Sequence, residues 1–480
     1  MSVELKIKQY TAQEIAGITG GELREYYGGE RAAQGVISTD SREAAAGVIF
    51  CAIKGERVDG NDFIPSALDS GSTVFICQYV PEETEKSGRP FSAVIVDDTV
   101  KAIGSIAREY RSHSSAKVIG VTGSVGKTTT KEFISTVASA SFKTHKTGGN
   151  YNNLLGLPLT VLGIAPDDEV VVLEMGMSAL GEIEYLTKIA RPDIAVITTI
   201  GTSHLESLGT RENICRAKME IRYGLSDKGT LILNGDDPYL ISAAEKLDKK
   251  PVFFGRQLRS ADFRAVNIRQ KDESIVFDLL YSSKAVTNVE IPVLGKHNVN
   301  NALVGYAVGI LLGMTDDSIR RGLLSFVNVD KRQKIYSVGG ITVIDDCYNA
   351  SPESMRAAVD VLVSLAAKKN AAPAALLGDM LELGKDSRIM HDELGQYAAR
   401  SGVTKLFCYG KMADIIAESA IKNGIRADNV FVCVDSSDAE SMAKMIDGAL
   451  GDGDILLVKA SRGIAAENVI EALKKIKKAK

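Results

Sequence analysis

From Val118 onward, short apolar runs alternate with stretches of helical periodicity, and this alternation restricts the fold more than any other feature. The first runs are VIGVT, VVVLEMG, IAVITTI and TLILN. Each is apolar at successive positions rather than at every second one, the pattern of a strand buried on both faces. Such strands, separated by helices, form a parallel sheet with helices on its two sides. Residues 250–294 break the rhythm with β-branched alternation and no clear helix, which reads as a small antiparallel addition. A helix from Asn298 to Leu312 follows. The last third alternates again through ITVIDD, AALLGDM, KLFCYG, VFVCVD and DILLVKAS, a second doubly wound α/β unit.

Ahead of Val118 lie a short first helix, then strands within residues 35–97 (GVIFCAIKG, STVFICQYV, SAVIVDD). An amphipathic stretch from Val100 to Tyr110 follows, and the polar string HSSAK (His113 to Lys117) reads as a linker. A chain of 480 residues is too long for one ordinary core. The expectation is an α/β protein of three domains: a small N-terminal domain at 1–114, a central parallel-sheet domain at 115–328 and a C-terminal Rossmann-like domain at 329–480.

A net charge of -4 leaves no footprint for nucleic acid or an anionic membrane. The terminal lysines (Lys474, Lys475, Lys477, Lys478, Lys480) read as a solvated, fraying helix end. No apolar run approaches the roughly 18 residues of a membrane span, and the N-terminus lacks a signal-peptide core. The six cysteines are scattered without a C-x-x-C pair. Cys408 and Cys433 stand in apolar runs, where a buried free thiol is expected. A reducing, cytoplasmic setting fits.

The segment Gly120-Val121-Thr122-Gly123-Ser124-Val125-Gly126-Lys127-Thr128-Thr129 follows the strand VIGVT and opens a helix, the context a phosphate-binding loop requires. Glycines let backbone N–H groups wrap a polyphosphate, and the helix N-terminus adds its dipole. Lys127 would meet the β- and γ-phosphates of ATP, and the Thr128 hydroxyl would ligate Mg²⁺. The strict motif would need glycine at 121, where Val121 stands; the glycines fall at 120, 123 and 126.

The spacing TGSVGKTTT resembles that of the Mur ligase family, and the resemblance runs through separated motifs over nearly the whole chain. Thr39-Asp40-Ser41-Arg42 with GVIFCAIKGERVDGNDF resembles the segment that grips the uridine nucleotide; on its own residues, Asp40-Ser41-Arg42 reads equally as a capped turn. TGGNYNNLLGLP, with Asn150, Asn152 and Asn153, resembles the family's asparagine-rich substrate loop. Glu174, ending VVVLEMG, matches a Mg²⁺ ligand, although a carboxylate there also serves as a helix cap. His204 in IGTSHLESLG matches the histidine ligand of a second Mg²⁺. Lys218 in RAKMEI stands where relatives carry a carbamylated lysine; its own residues allow a solvated or ion-paired side chain.

GKHNVNNALVGYAVG resembles the family's G-x-H-N-x-x-N-A segment, which implies Asn298 and Asn301 as nucleotide contacts, with Arg332 and Asp346 in IDDCYNASPES after them. Cys347 and Ser351 depart from the family's usual D-S-Y-N-A-N-P. LGDMLELG, His391 and VKASRG match the domain that receives the amine, with Ser461 and Arg462 as contacts and Ala460 in place of the usual glycine.

The resemblance implies ATP-dependent joining of a carboxylate to an amine through an acyl phosphate, with two Mg²⁺ ions and closure of the third domain over the second. Lys127, Lys218, His204 and Glu174 would carry the chemistry. Within the family the motifs point to the branch that adds D-Ala-D-Ala to UDP-MurNAc-tripeptide, acting as a monomer. The branch adding the third amino acid shows D-Y-A-H-T-P and K-G-H-E, which this chain lacks. From another class, a nucleotide switch using the same loop without ligation needs no second metal, so Glu174, His204 and Lys218 speak against it.

Overall fold

The computed structural model of the protein describes residues 1–271, 273–328 and 331–478. Val329, the expected start of the third domain, and Lys480 of the terminal lysine run lie outside them. By packing, the chain divides into two compact units. The first holds Met1–Thr122, Ala138–Ile197 and Ala217–Ile232; the second holds Gly123–Val137, Thr198–Arg216 and the chain from Leu233 onward.

In the first unit, β1 (Ser2–Glu4), β2 (Glu22–Tyr26), β3 (Val36–Ser38), β4 (Val48–Cys51), β5 (Val74–Cys77) and β6 (Phe91–Ile95) form a sheet in the order β1-β3-β4-β5-β6-β2. Its inner strands are parallel, and β1 and β2 close the edges antiparallel. β1 and β2 precede the stretch where strands were expected. They are short and polar at alternate positions, so no apolar run marks them.

Thr99–Ser112 is a helix whose start is fixed by Asp98, which accepts from the Val100 and Lys101 N–H groups. Its buried Arg111 donates to the carbonyls of Ala190, Ser114 and Ala116. HSSAK is therefore a tied connection rather than a slack linker. β7 (Lys117–Thr122), β8 (Thr144–Lys146), β9 (Val170–Glu174), β10 (Ile194–Ile197) and the start of β11 (Thr230–Asn234) then follow in the order β11-β10-β7-β9-β8. β7 is parallel to both β9 and β10, as its unbroken apolar run requires.

In the second unit, the helix Lys127–Ser139 lies against two others through glycines. A Cβ on Gly305 would come within 3.3 Å of the Phe133 carbonyl oxygen, and one on Gly322 within 2.6 Å of the Val137 Cα. Phe133 stacks on Phe326 with ring centroids 3.8 Å apart. The expected addition consists of β12 (Val252–Gly255), β13 (Phe263–Lys271), β14 (Ser274–Tyr281) and β15 (Lys284–Ile291). β13 to β15 pair antiparallel, but β12 runs parallel to β13. Ser282 and Ser283, both at positive φ, make the two-residue turn between β14 and β15.

The last third forms the sheet β16-β17-β21-β18-β19-β20, from β16 (Lys334–Val338), β17 (Ile341–Asp345), β18 (Pro373–Gly378), β19 (Lys405–Tyr409), β20 (Val430–Cys433) and β21 (Ile455–Lys459). All its pairs are parallel except β16 with β17. β20 is an edge strand, which leaves Cys433 half-exposed where burial was expected; Cys408 on β19 is buried. Lys477 does not fray into solvent, since it pairs with Asp447 at 3.0 Å with both side chains largely covered. Among the described residues, no helix is long and apolar enough to cross a membrane.

Candidate active site

β7 runs directly into the glycine loop. Gly123 (φ 149°) and Gly126 (φ 87°) take backbone conformations that side chains resist, and a Cβ on Gly123 would collide with Thr198 Oγ1 at 1.9 Å. The loop is braced by the segment after β10: Ser124 N–H donates to the Thr199 carbonyl (2.8 Å), and Thr198 Oγ1 donates to the Val125 carbonyl (2.6 Å). Asp237 holds that segment in turn, accepting from Ile200 N–H at 2.7 Å. Lys127 Nζ donates to the Gly123 carbonyl at 2.8 Å, across the mouth of the loop. The Ser124 Oγ is buried and finds no hydrogen-bond partner. Thr129 is half-buried on the first turn of the helix Lys127–Ser139.

Of the four further expected nucleotide contacts, Arg332 and Asn301 bond directly to the helix that this loop opens. Arg332 donates to Thr128 Oγ1 at 3.0 Å, and its guanidinium lies 4.2 Å from the Tyr348 ring centroid. Arg462 stacks on the same ring at 5.2 Å, so Tyr348, which sequence did not single out, steadies both arginines. Asn301 Oδ1 accepts from Thr130 Oγ1 (2.9 Å), its amide donates to Asn298 Oδ1 (2.9 Å), and Asn298 donates to the Leu294 carbonyl (2.7 Å). Both asparagines are buried, and this chain of bonds fastens the phosphate-loop helix. Asp346 accepts from Lys459 Nζ at 2.7 Å and from Gln333 N–H at 3.2 Å. Lys459 also donates to the Asn349 carbonyl; desolvation of its ring holds His297 down at about 4, with the Arg256 and Lys459 charges adding to the shift.

In the first unit, Glu174 ends β9 at 2% exposure. Its N–H donates to Thr147 Oγ1 (3.0 Å), and its Oε1 accepts from Asn152 Nδ2 (2.7 Å). Oε2 is buried with no partner. A carboxylate oxygen in that state calls for a cation, because burying it bare costs several kcal/mol. Of the three expected substrate-loop asparagines, Asn152 therefore orients Glu174, Asn153 caps the turn at Gly156 (2.8 Å), and Asn150 is exposed. Lys218 is 1% exposed, which overturns the solvated alternative. Glu220 nearby in sequence accepts from the Gly181 and Glu184 N–H groups at the start of another helix.

His204 lies in the loop after β10 at φ 64°, its Nδ1 2.8 Å from Glu382 Oε2. Glu382, from LGDMLELG, is held below the usual carboxylate range chiefly by this bond, against burial that raises it, with Lys127 adding to the lowering. Glu353 faces Thr202 Oγ1 at 3.2 Å, an approach that Gly201 permits by lacking a side chain. Neither glutamate was legible as a site residue, although each stands in or beside a quoted motif.

The remaining expectations resolve as follows. Asp40 caps its own turn, accepting from Arg42 N–H (3.1 Å) and from the Arg42 guanidinium (2.8 and 2.6 Å); the arginine is 87% exposed. Ser41 begins that turn. Ser461 is buried, its Oγ accepting from Leu381 N–H at 2.9 Å. Cys347 donates to Asp345 as a serine would (2.8 Å), and Ser351 caps the helix Pro352–Lys369 in a box with Ser354. Ala460 faces Gly378, on which a Cβ would come within 2.7 Å of the alanine methyl. Among the described residues, no three His, Cys, Asp or Glu side chains gather into a ready metal cage.

The chain is similar to known proteins over nearly its whole length. The family described as Mur ligase middle domain matches residues 121–309, the Mur ligase glutamate ligase domain matches 331–462, and the Mur ligase catalytic domain matches 35–111. The chain is 38% identical to the UDP-N-acetylmuramoyl-tripeptide–D-alanyl-D-alanine ligase of Bacillus subtilis over 96% of this chain and 98% of that one. Among solved structures it matches MurF from Acinetobacter baumannii with TM-score 0.87 and 30% identity, over 98% and 99% of the two chains. It also matches the MurF ligase from Thermotoga maritima in complex with ADP, with TM-score 0.81 and 30% identity, over 92% and 98%.

Proposed function

This chain belongs to the Mur ligase family, and on that premise we propose that it joins D-Ala-D-Ala to UDP-MurNAc-tripeptide for peptidoglycan synthesis, using ATP. The chain works as three domains, at 1–114, 115–328 and 329–480, and acts as a monomer in the cytoplasm. The family matches at 35–111, 121–309 and 331–462 support that division. Asp40, Ser41 and Arg42 serve the uridine nucleotide, and the exposed guanidinium of Arg42 suits an anionic ligand.

A carboxylate cannot be joined to an amine while oxide is the leaving group. Transfer of the γ-phosphoryl of ATP to the carboxylate oxygen releases ADP and leaves an acyl phosphate. The amine then attacks the acyl carbon, loses a proton, and phosphate departs. Backbone N–H groups of the loop, other than that of Ser124, cradle the phosphates, and Lys127 exchanges the Gly123 carbonyl for the transferred phosphoryl. Arg332 and Asp346 position the nucleotide; Asn298 and Asn301 hold the helix behind the loop. Arg462, stacked on Tyr348, orients the amine substrate.

Two Mg²⁺ ions are implied by the family resemblance, and Thr128, Glu174, His204 and a carbamylated Lys218 would supply their protein ligands. Mg²⁺ takes few protein ligands and completes its shell with phosphates and water. When bound, the ions neutralise the crowded phosphate and carboxylate oxygens. Burial of Lys218 supports carbamylation, which would turn an enclosed ammonium into a carboxylate-like group able to meet a cation. The observation that carries the reading is Glu174 Oε2, a buried carboxylate oxygen without a protein partner.

Phosphate release from ATP and Mg²⁺, with UDP-MurNAc-tripeptide and D-Ala-D-Ala each omitted in turn, tests it. Release that needs both, with a pentapeptide product by mass spectrometry, is expected. ATP binding without turnover in any combination would defeat the ligase and leave the nucleotide switch.

A further inference from the structure

The loop carrying Glu382 is fastened with unusual care for a segment whose end is exposed. The Asp379 carboxylate accepts from the Lys411 and Met412 N–H groups, both at 2.9 Å. Met380 N–H donates to His391 Nε2 (2.9 Å), while His391 Nδ1–H donates to the Ser387 carbonyl (2.7 Å). Leu381 N–H donates to Ser461 Oγ (2.9 Å). Three successive residues are thus pinned from three directions. The chain then turns at Glu382 into a left-handed conformation, φ 63°.

What this scaffold delivers is a contact with the loop after β10. The Glu382 carbonyl accepts from Glu206 N–H at 3.1 Å, and its Oε2 meets His204 Nδ1 at 2.8 Å. Gly384 lets the two loops close, since a Cβ there would come within 3.3 Å of the Glu206 Cα. His204 is itself left-handed, so two strained non-glycine residues face each other. Histidines that bind metals commonly donate their second ring N–H to a carboxylate, which sets tautomer and ring orientation.

We infer that Glu382 is a positioning residue for His204: it accepts the Nδ1–H, and so presents the unprotonated Nε2 as the lone-pair donor of the cation site. The last third of the chain thereby completes a site whose ligand lies in the middle third. The role of the contact rests on reading His204 as a cation ligand, and the test separates the two. Glu382 is 59% exposed and its side chain is no part of the core, so its substitution leaves the fold in place.

The test is ¹⁵N NMR of the full-length, metal-free protein labelled at its five histidines, with His391 as an internal Nδ1–H reference. His204 is expected as the Nδ1–H tautomer in the wild type. Glu382→Ala should move it to the Nε2–H form that free imidazole prefers in water, and Glu382→Gln, still an acceptor, should restore it. Mn²⁺ added with a non-hydrolysable ATP analogue should broaden the His204 signals, at about 10- to 100-fold higher Mn²⁺ in Glu382→Ala. An unchanged His204 tautomer in Glu382→Ala overturns the inference. A tautomer that depends on Glu382, with His204 signals that Mn²⁺ leaves sharp, overturns instead the reading of His204 as a ligand and reduces the contact to loop fastening.

Discussion

Glu174 and His204 are assigned parallel tasks and are held in opposite ways. Glu174 ends a buried strand, and its supports, Asn152 and Thr147, come from the loop after β8, the adjacent strand of the sheet. His204 sits on a loop, one quarter exposed, and its support arrives from the last third of the chain. A group at a strand end inherits rigidity from the sheet, so a local partner suffices to aim it. A group on a loop has no such frame and takes its orientation from a distant, separately pinned segment. The cost is that its geometry depends on that docking staying intact.

The sharpest way to strain the comparison is to remove the inherited frame's own donor. Glu174→Gln keeps shape and removes charge; turnover should fall by more than about 100-fold, beyond the range for residues acting through a ligand. A loss confined to a few-fold in steady-state kinetics would take Glu174 out of the cation site. Asn152→Ala is expected to cost less, about 10- to 100-fold in apparent Mg²⁺ affinity with little change in thermal stability. Mg²⁺ titrations of activity would read it, and an unaltered Mg²⁺ requirement would mean that the sheet alone aims Glu174.

Native-state hydrogen exchange compares the two supports directly. The Met175 amide, bonded to the Val121 carbonyl within the sheet, should exchange only with global opening, whereas the Glu206 amide, bonded to Glu382, should exchange by local opening. The second should also respond to acid. Glu382 has a lowered pKa in the fold, so its contribution is full above the ordinary carboxylate pKa and is lost as pH falls through the lowered value. The change is expected to stay under about 1 kcal/mol, because the pair is partly solvated. Equal protection of the two amides at every pH would erase the distinction.

The same contrast explains what could be read from sequence. β7, β9 and the phosphate loop announce themselves, because burial on both faces forces an apolar run and a tight phosphate cradle forces glycine. Glu174 was legible as the first acid after such a run. Glu382 and Glu353 were not, because a surface glutamate carries no local mark of a partner far along the chain. Asn298, Asn301 and Ser461 were noticed for their motifs, yet their burial shows polar groups spent on bracing the loop behind the site and on pinning the loop of Glu382. Tyr348 was quoted within a motif, but only the fold brings Arg332 and Arg462 to its ring.

The neighbouring strands β18 and β21 share room for a single methyl group where Gly378 meets Ala460. Alanine at 460 thus occupies the room that Gly378 leaves open. The two positions form a ledger with one vacancy: Gly378→Ala alone should lower the melting temperature, and adding Ala460→Gly should recover most of the loss. Among related chains, small residues at these two places should trade with each other, so the pair varies together while the backbone they separate stays where it is.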